Sequence, residues 1–494
     1  MVSMGDSKEI YESKSASISP SLPKGKKLTQ YVAALIVSML SFNNGLTICW
    51  APTMLPILQS EDSPLVSGPI TKEQASWLAA LQCLGAFLSG PFYIFVINRF
   101  SRKTAGYILA MPFLTSWLFI IFSRTVPLLY IARLIGGMGN GSSLVFIPIY
   151  ISEMAEDSIR GALGSLLLMT LNSAILFGYV IGAFESYFAY AYIAIVFPLV
   201  YLCLFFWLPE TPMYLINANE TVKAKQSLRW FRGGDEDVVQ EEFAKMTYLL
   251  KERKTLSQAA TFKDILMSPG SRKAFFIGFT LILNQQFCGI YAILSYTVSI
   301  FQEAETSLSP HHSSIIVGVL YVLGTILSTP LIDRAGRKCL LLTSNAITAI
   351  CLIALGVYFY LKSNGSDVSN LGWLPVTSLS IFIFAFAFGL SPGLFIVISE
   401  IFEPQIKAKA SVLLISVLWL TAFLIIKYFV NISDLLGMHG SFWFFSVCCI
   451  LGATYIMIAV PETRKRSYAS ILFELNNGKR REKDNSVVDE AEKL

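Results

Sequence analysis

Apolar residues in this chain come in long unbroken runs separated by short polar turns, not in the one-sided stripes of a soluble helix or the alternation of a half-buried strand. A helix crossing a bilayer needs about 20 mostly apolar residues, because each adds roughly 1.5 Å across a hydrocarbon core of roughly 30 Å. Runs of that length fall at 29–51, 73–97, 104–122, 127–151, 161–184 and 188–208, and again at 273–300, 313–333, 340–361, 373–402, 409–431 and 440–460. The pattern predicts an all-α membrane protein with twelve transmembrane helices. They form two six-helix bundles, 29–208 and 273–460, joined by a cytosolic loop over 209–272 and flanked by tails over 1–28 and 461–494. A barrel is excluded, since its strands alternate in hydrophobicity. Inside the central loop, 220–232 and 237–254 mix charges with periodic apolar positions such as Leu228, Phe231, Phe243 and Met246. That periodicity predicts short amphipathic helices against the cytosolic face, with a flexible tether as the alternative.

Composition narrows the class further. Of 494 residues, 54% are apolar and only 14% charged, against about 25% charged in a soluble protein. Several soluble domains would be left without a polar surface, and disorder is excluded by the same figures. A net charge of +5 is too small for a nucleic-acid binder. The three histidines form no HExxH pattern, and neither a GxSxG elbow nor a GxxxxGK[ST] loop occurs. No metal, cofactor or enzyme activity is therefore expected. Seven of the eight cysteines lie in apolar stretches and Cys339 sits beside a basic cluster, so they read as packing residues. The first 28 residues are polar, with no cleavable signal. With the N-terminus inside, 33 of the 38 Lys and Arg residues fall on the same side, which places both termini in the cytosol.

Three motifs recur in the same order in both halves. Asn98-Arg99-Phe100-Ser101-Arg102-Lys103 matches Asp333-Arg334-Ala335-Gly336-Arg337-Lys338; Glu153 precedes Arg160, and Glu400 precedes Lys407, by seven residues each; Pro209-Glu210-Thr211 and Pro461-Glu462-Thr463 close the two bundles. This points to a duplication, in which two similar bundles rock about a site between them. The repeated charges lie at cytosolic helix ends. There Arg99, Arg102, Arg334 and Arg337 can pair with Glu153 and Glu400 and, together with Asp333, Arg160 and Lys407, form a latch that breaks on opening; charges that merely fix topology are the alternative.

At these motifs the sequence resembles the sugar porter family of the major facilitator superfamily over about residues 29–470. The resemblance also rests on Arg133 with Gly137 and Gly139, Pro148-Ile149-Tyr150-Ile151-Ser152-Glu153 with Arg160-Gly161, and Gln285-Gln286 with Gly289. Asn44-Gly45 followed by Trp50-Ala51-Pro52 looks most like the insect facilitated trehalose and glucose transporters. The resemblance implies a small-molecule sugar bound midway across the lipid bilayer, with no obligate protein partner, at the plasma membrane. Gln285 and Gln286 stand where the family's sugar-contacting glutamines lie, and Trp419 matches a tryptophan of the site. Gluing two helices is the other role open to such amides. Departures from the family fall at Tyr291 and Tyr321 (asparagines in the family), Phe395 (a tryptophan), Leu168 (a glutamine) and Leu418 (an asparagine). The cavity is thus expected to be more aromatic and poorer in amides. Asn98 and Ser101 replace an acid and a glycine, which is expected to weaken the first latch relative to the second.

Proton-coupled members of the family place an acid in the first span, where this chain reads Ser41-Phe42-Asn43-Asn44-Gly45. The expectation is downhill, facilitative transport of glucose or trehalose by alternating access. A non-transporting sugar sensor and a carrier of another polar solute such as a polyol are the rivals. Lys427 is an oddity, expected to snorkel to the outer surface. Of the sequons, Asn364 in an outer loop and Asn431 nearer the membrane are candidate glycan sites, whereas Asn219 faces the cytosol.

Overall fold

The computed structural model describes residues 27–257, 269–402, 404–464, 466 and 468–477, so all but the last two residues of the expected 1–28 tail and residues 478–494 of the expected C-terminal tail lie outside the described residues. Six long helices come first: α1 Leu28–Leu58, α2 Lys72–Arg99, α3 Arg102–Phe122, α4 Val126–Met154, α5 Arg160–Phe184 and α6 Tyr187–Phe205. Three shorter ones follow, α7 Pro212–Asn217, α8 Thr221–Phe231 and α9 Glu236–Ser257. Then come α10 Pro269–Phe287, α11 Ile290–Ala304, α12 Pro310–Ala335, α13 Arg337–Ser363, α14 Leu374–Ala385, α15 Ser391–Ile401, α16 Pro404–Ala459 and α17 Tyr468–Asn477. Polar residues fix several starts. Thr71 and Gln74 form a reciprocal capping box on α2, and Ser101, Ser186 and Ser309 each accept an amide N–H three residues on.

Eleven helical stretches among the described residues are long and apolar enough to cross a membrane. Two apolar runs are broken inside. Gly289, at φ +83°, separates α10 from α11, and a Cβ there would stand 2.6 Å from the Phe445 ring. Between α14 and α15 the chain widens into a π-helical turn over Phe386–Leu390. Conversely, α16 runs on for 56 residues, more than double what roughly 30 Å of hydrocarbon needs. Its path breaks at Gly437, whose φ of +73° and ψ of 163° leave the helical region.

The surface of this bundle is inverted relative to a soluble protein. Phe122, Phe184, Trp207, Ile350 and Leu451 are exposed, as lipid-facing residues are. Helices α1–α6 pack on one another, as do α10–α16, and the two groups meet where α1 touches α11, α2 touches α16 and α5 touches α12. The short helices share a small apolar cluster of Leu215, Ile216 and Ala224 with Phe243, Met246 and Leu250. They are pinned to the first group by Arg232, which is fully buried, ion-paired to Glu242 at 2.5 Å and bonded to Met154 O at 3.0 Å.

Candidate functional site

Three consecutive amides, Asn284, Gln285 and Gln286, close α10, each rotated about 100° from the next. The structure divides their roles. Asn284 Nδ2 donates to Asn345 Oδ1 of α13 at 3.1 Å, an interhelical tie, although its own Oδ1 has no partner among the described residues. Gln285 and Gln286 are buried, yet Gln285 Oε1 and both polar atoms of Gln286 have no hydrogen-bond partner among the described residues. An unpaired buried amide costs about 1–3 kcal/mol.

Beyond the Gly289 break, the Tyr291 ring lies 6.1 Å from that of Trp419 on α16, whose indole N–H is also buried and unpaired. Tyr321 on α12 is buried, its ring 6.4 Å from Phe386 in the π-helical turn. One turn away, Asn172 Nδ2 of α5 meets Thr325 Oγ1 of α12 at 2.6 Å, a bond joining the two helix groups that sequence reasoning missed. An isolated amide in an apolar run was its only signal. Phe395 stands apart: it is 36% exposed and joins neither the ring pairs nor the buried clusters. Leu418 is buried and Leu168 half-buried.

The first group contributes a second polar seam that was only partly legible. Arg133 of α4 donates to Leu78 O at 3.0 Å, to Thr47 O at 2.6 Å and to Gln82 Oε1, and its guanidinium lies 5.0 Å from the centre of the Trp50 ring. Thr47 Oγ1 in turn donates to Asn140 Oδ1 at 2.9 Å. Asn43 Oδ1, Asn44 Oδ1 and Asn140 Nδ2 are buried without partners among the described residues. Arg133 is thus satisfied by carbonyl groups and an amide, and α1 offers it no carboxylate.

The repeated charges build two matching clusters. In the first, Arg102 pairs with Glu153 at 3.0 Å, Arg102 Nη1 donates to Ile97 O at 2.9 Å, and Thr211 Oγ1 donates to Glu153 at 2.6 Å. In the second, Arg337 pairs with Glu400 at 3.1 Å, Arg337 Nη1 donates to Ile332 O at 3.2 Å, and Thr463 Oγ1 donates to Glu400. Glu210 accepts the Lys103 N–H at 3.0 Å, and Glu462 accepts those of Arg337 and Lys338 at 3.1 Å. Both thus place an acid at a helix N-terminus. Gly336, at φ +93°, makes room for this carboxylate, since a Cβ would lie 2.8 Å from Glu462 Oε2. The ion pairs are nearly equal in length, so geometry does not set the first below the second. Each stays within its own helix group. Arg99 and Arg334 are exposed and make no hydrogen bond or ion pair among the described residues, whereas Arg160 pairs with Asp157 at 2.7 Å. The Asp333 side chain lies outside the described residues. Lys407 is half-buried, and burial pushes its ammonium below the usual range while Glu400 opposes this. The hydrogen bond from Lys245 holds the Asp157 carboxyl below its usual range.

Lys427 does not snorkel. It is 8% exposed, donates to Ser76 Oγ of α2 at 2.9 Å and lies 4.9 Å from the centre of the Trp77 ring. Asn364 caps the C-terminus of α13 and is exposed, while Asn431 is exposed within α16.

Comparison with known proteins agrees with this geometry. Residues 24–472 match the family described as "Sugar (and other) transporter". The facilitated trehalose transporter Tret1 of Polypedilum vanderplanki is 33% identical over 447 residues, covering 90% of this chain and 87% of that one. Tret1 of Bombyx mori is 34% identical, covering 92% and 88%, while the chain spans only 55% of the longer Tret1 of Anopheles gambiae. Among solved structures, the inward open xylose transporter XylE from E. coli matches at a TM-score of 0.75 and 22% identity, covering 90% of this chain and 99% of that one. At that identity the likeness speaks to the fold alone. With nine-tenths of its length matched in sequence and in fold, the chain belongs to the sugar transporter family.

Proposed function

We propose that this protein is a facilitative sugar uniporter of the plasma membrane that moves glucose or trehalose by alternating access. Twelve spans form two six-helix halves, α1–α6 and α10–α16, with α16 supplying the last two on either side of Gly437 and both termini in the cytosol. The two charge clusters support a duplicated plan, because the same four bonds recur between corresponding residues. The observation that carries the function is the buried amide pair Gln285–Gln286, whose Oε1 atoms and Gln286 Nε2 are unpaired among the described residues, followed five residues on by Tyr291, whose ring meets that of Trp419. Amides replace the water around sugar hydroxyls, and aromatic faces stack on the sugar's C–H face. Phe395, exposed and apart from these rings, stands outside this set. The absence of an acid from α1, and the neutral partners of Arg133, support uniport over proton coupling. The Tret1 relatives are named for facilitated trehalose transport, which supports the disaccharide.

The test is uptake into proteoliposomes of radiolabelled glucose, trehalose, fructose and sorbitol, with a trapped pH dye. Sugar entry that runs down its own gradient without acidifying the lumen is the expected result. Uptake of sorbitol alone would reassign the substrate to polyols, and acidification coupled to sugar entry would overturn uniport.

A further inference from the structure

A cavity of about 380 Å³ opens at the corner where α10, the end of α16 and α17 meet, and Arg272, Lys273, Phe276, Tyr455 and Ile458 line it. Its rim is cationic. Arg272 and Lys273 lie in the first turn of α10 with exposed side chains. Lys273 Nζ donates to Leu475 O at 2.7 Å, which leaves two of its hydrogens free for another acceptor. Arg272 makes no hydrogen bond or ion pair among the described residues. The one acid in the wall, Glu474, is already taken by Arg466 at 2.5 Å. One turn deeper along α10 and α16 the wall turns apolar: Phe276 is 55% and Ile458 70% exposed.

We infer that this groove binds an anionic phospholipid of the cytosolic leaflet, its phosphate accepting hydrogen bonds from Arg272 and Lys273 and its acyl chain lying on Phe276 and Ile458. The inference rests on reading this end of the bundle as cytosolic, the leaflet where acidic lipids give a negative surface. A free phosphate would satisfy the rim but gain nothing from the apolar floor, and a lipid gains from both. Occupancy would also brace α17 against α10, since Lys273 already reaches from one to the other.

The full-length protein in nanodiscs of phosphatidylcholine, with or without phosphatidylserine, tests this by its thermal unfolding midpoint. Phosphatidylserine should raise the midpoint, and titration of that lipid should show about fivefold weaker binding for each cation removed, in Arg272→Gln and then in Arg272→Gln/Lys273→Gln. Lys223→Gln removes the same charge from α8, away from the groove, and should keep the full shift. An equal shift in the double variant and the unaltered protein, or none in either, overturns the site. Soluble glycerophosphoserine added to phosphatidylcholine discs should give no shift; a shift equal to that of the lipid would assign a plain anion site and overturn the lipid. Should the double variant fail to purify, Arg272→Gln carries the test alone. Both leaflets of a nanodisc hold the lipid, so the result is independent of sidedness, which protease protection of 233–268 in sealed vesicles reads separately.

Discussion

Gln286 is a residue whose contributions to stability and to function should have opposite signs. Its carboxamide is buried with neither atom hydrogen-bonded among the described residues, so it works against folding by about 1–3 kcal/mol. Gln286→Leu, close in volume, should therefore leave the thermal midpoint unchanged or higher while cutting sugar flux about tenfold or more, as expected for the loss of a bond to substrate. Uptake and thermal unfolding of the same preparation check this. A fall in both would make the residue structural. Asn284 is the contrast: its tie to Asn345 is internal, so Asn284→Leu should lower the midpoint. Adjacent amides on an apolar span were legible in the sequence as a candidate site. Which of the three consecutive amides would be consumed by a neighbouring helix was not, because that depends on how α10 is rotated against α13. Lys427 was misread for a related reason. Its long stem permits snorkelling, and only the placement of Ser76 and Trp77 on another helix decides that it turns inward.

At the level of elements, apolar run length located most of the long helices to within a few residues, because burying backbone in lipid leaves little choice but helix, whereas the runs at 409–431 and 440–460 fall within one helix, Pro404–Ala459. The internal breaks were less legible. Gly289 and the Phe386–Leu390 turn lie inside runs as apolar as their surroundings, and the register of packing fixes them. Gly437 falls between two predicted spans, and its backbone explains why a glycine is needed: a residue with a Cβ at φ +73° costs about 1–2 kcal/mol. Gly437→Ala should lower the thermal midpoint by a few degrees without changing which solute is carried. The helices α8 and α9 depend on tertiary anchors more than on propensity. Arg232→Ala removes a fully buried guanidinium and strands Glu242 and Met154 O, a loss of about 3–5 kcal/mol. It should release α9, which limited proteolysis reads as faster cleavage within 233–268. Arg232→Lys should rescue little, because one ammonium cannot replace the guanidinium fork that reaches both partners.

Taken whole, the molecule is asymmetric about its midplane. The Arg102–Glu153 and Arg337–Glu400 pairs each stay inside their own helix group, and among the described residues no ion pair between these four side chains crosses from one group to the other. Of the ties across the groups, Asn172 with Thr325 lies at mid-helix, and the rest sit toward the opposite end: Tyr179 Oη with Thr297 Oγ1 at 3.1 Å, Lys72 with Asp434 at 3.4 Å, and Lys427 with Ser76 and Trp77. If the halves rock as proposed, these contacts hold the outer end shut and must break for it to open. Lys72 and Asp434 are exposed, so that pair contributes at most about 1 kcal/mol. Lys427 is buried, and a charged hydrogen bond with a cation–π contact is worth about 2 kcal/mol or more. Lys427→Met keeps most of the stem packing but removes both interactions, so the ratio of outward-open to outward-closed protein should rise about tenfold or more. Cys83 provides the readout, being buried on α2 two turns beyond Ser76 and so on the same helix face. An impermeant thiol reagent added outside intact cells, with modification scored peptide by peptide, should label Cys83 correspondingly faster in the variant. Unchanged labelling of Cys83 would mean that Lys427 does not govern the outer end, leaving the closure to Tyr179 with Thr297.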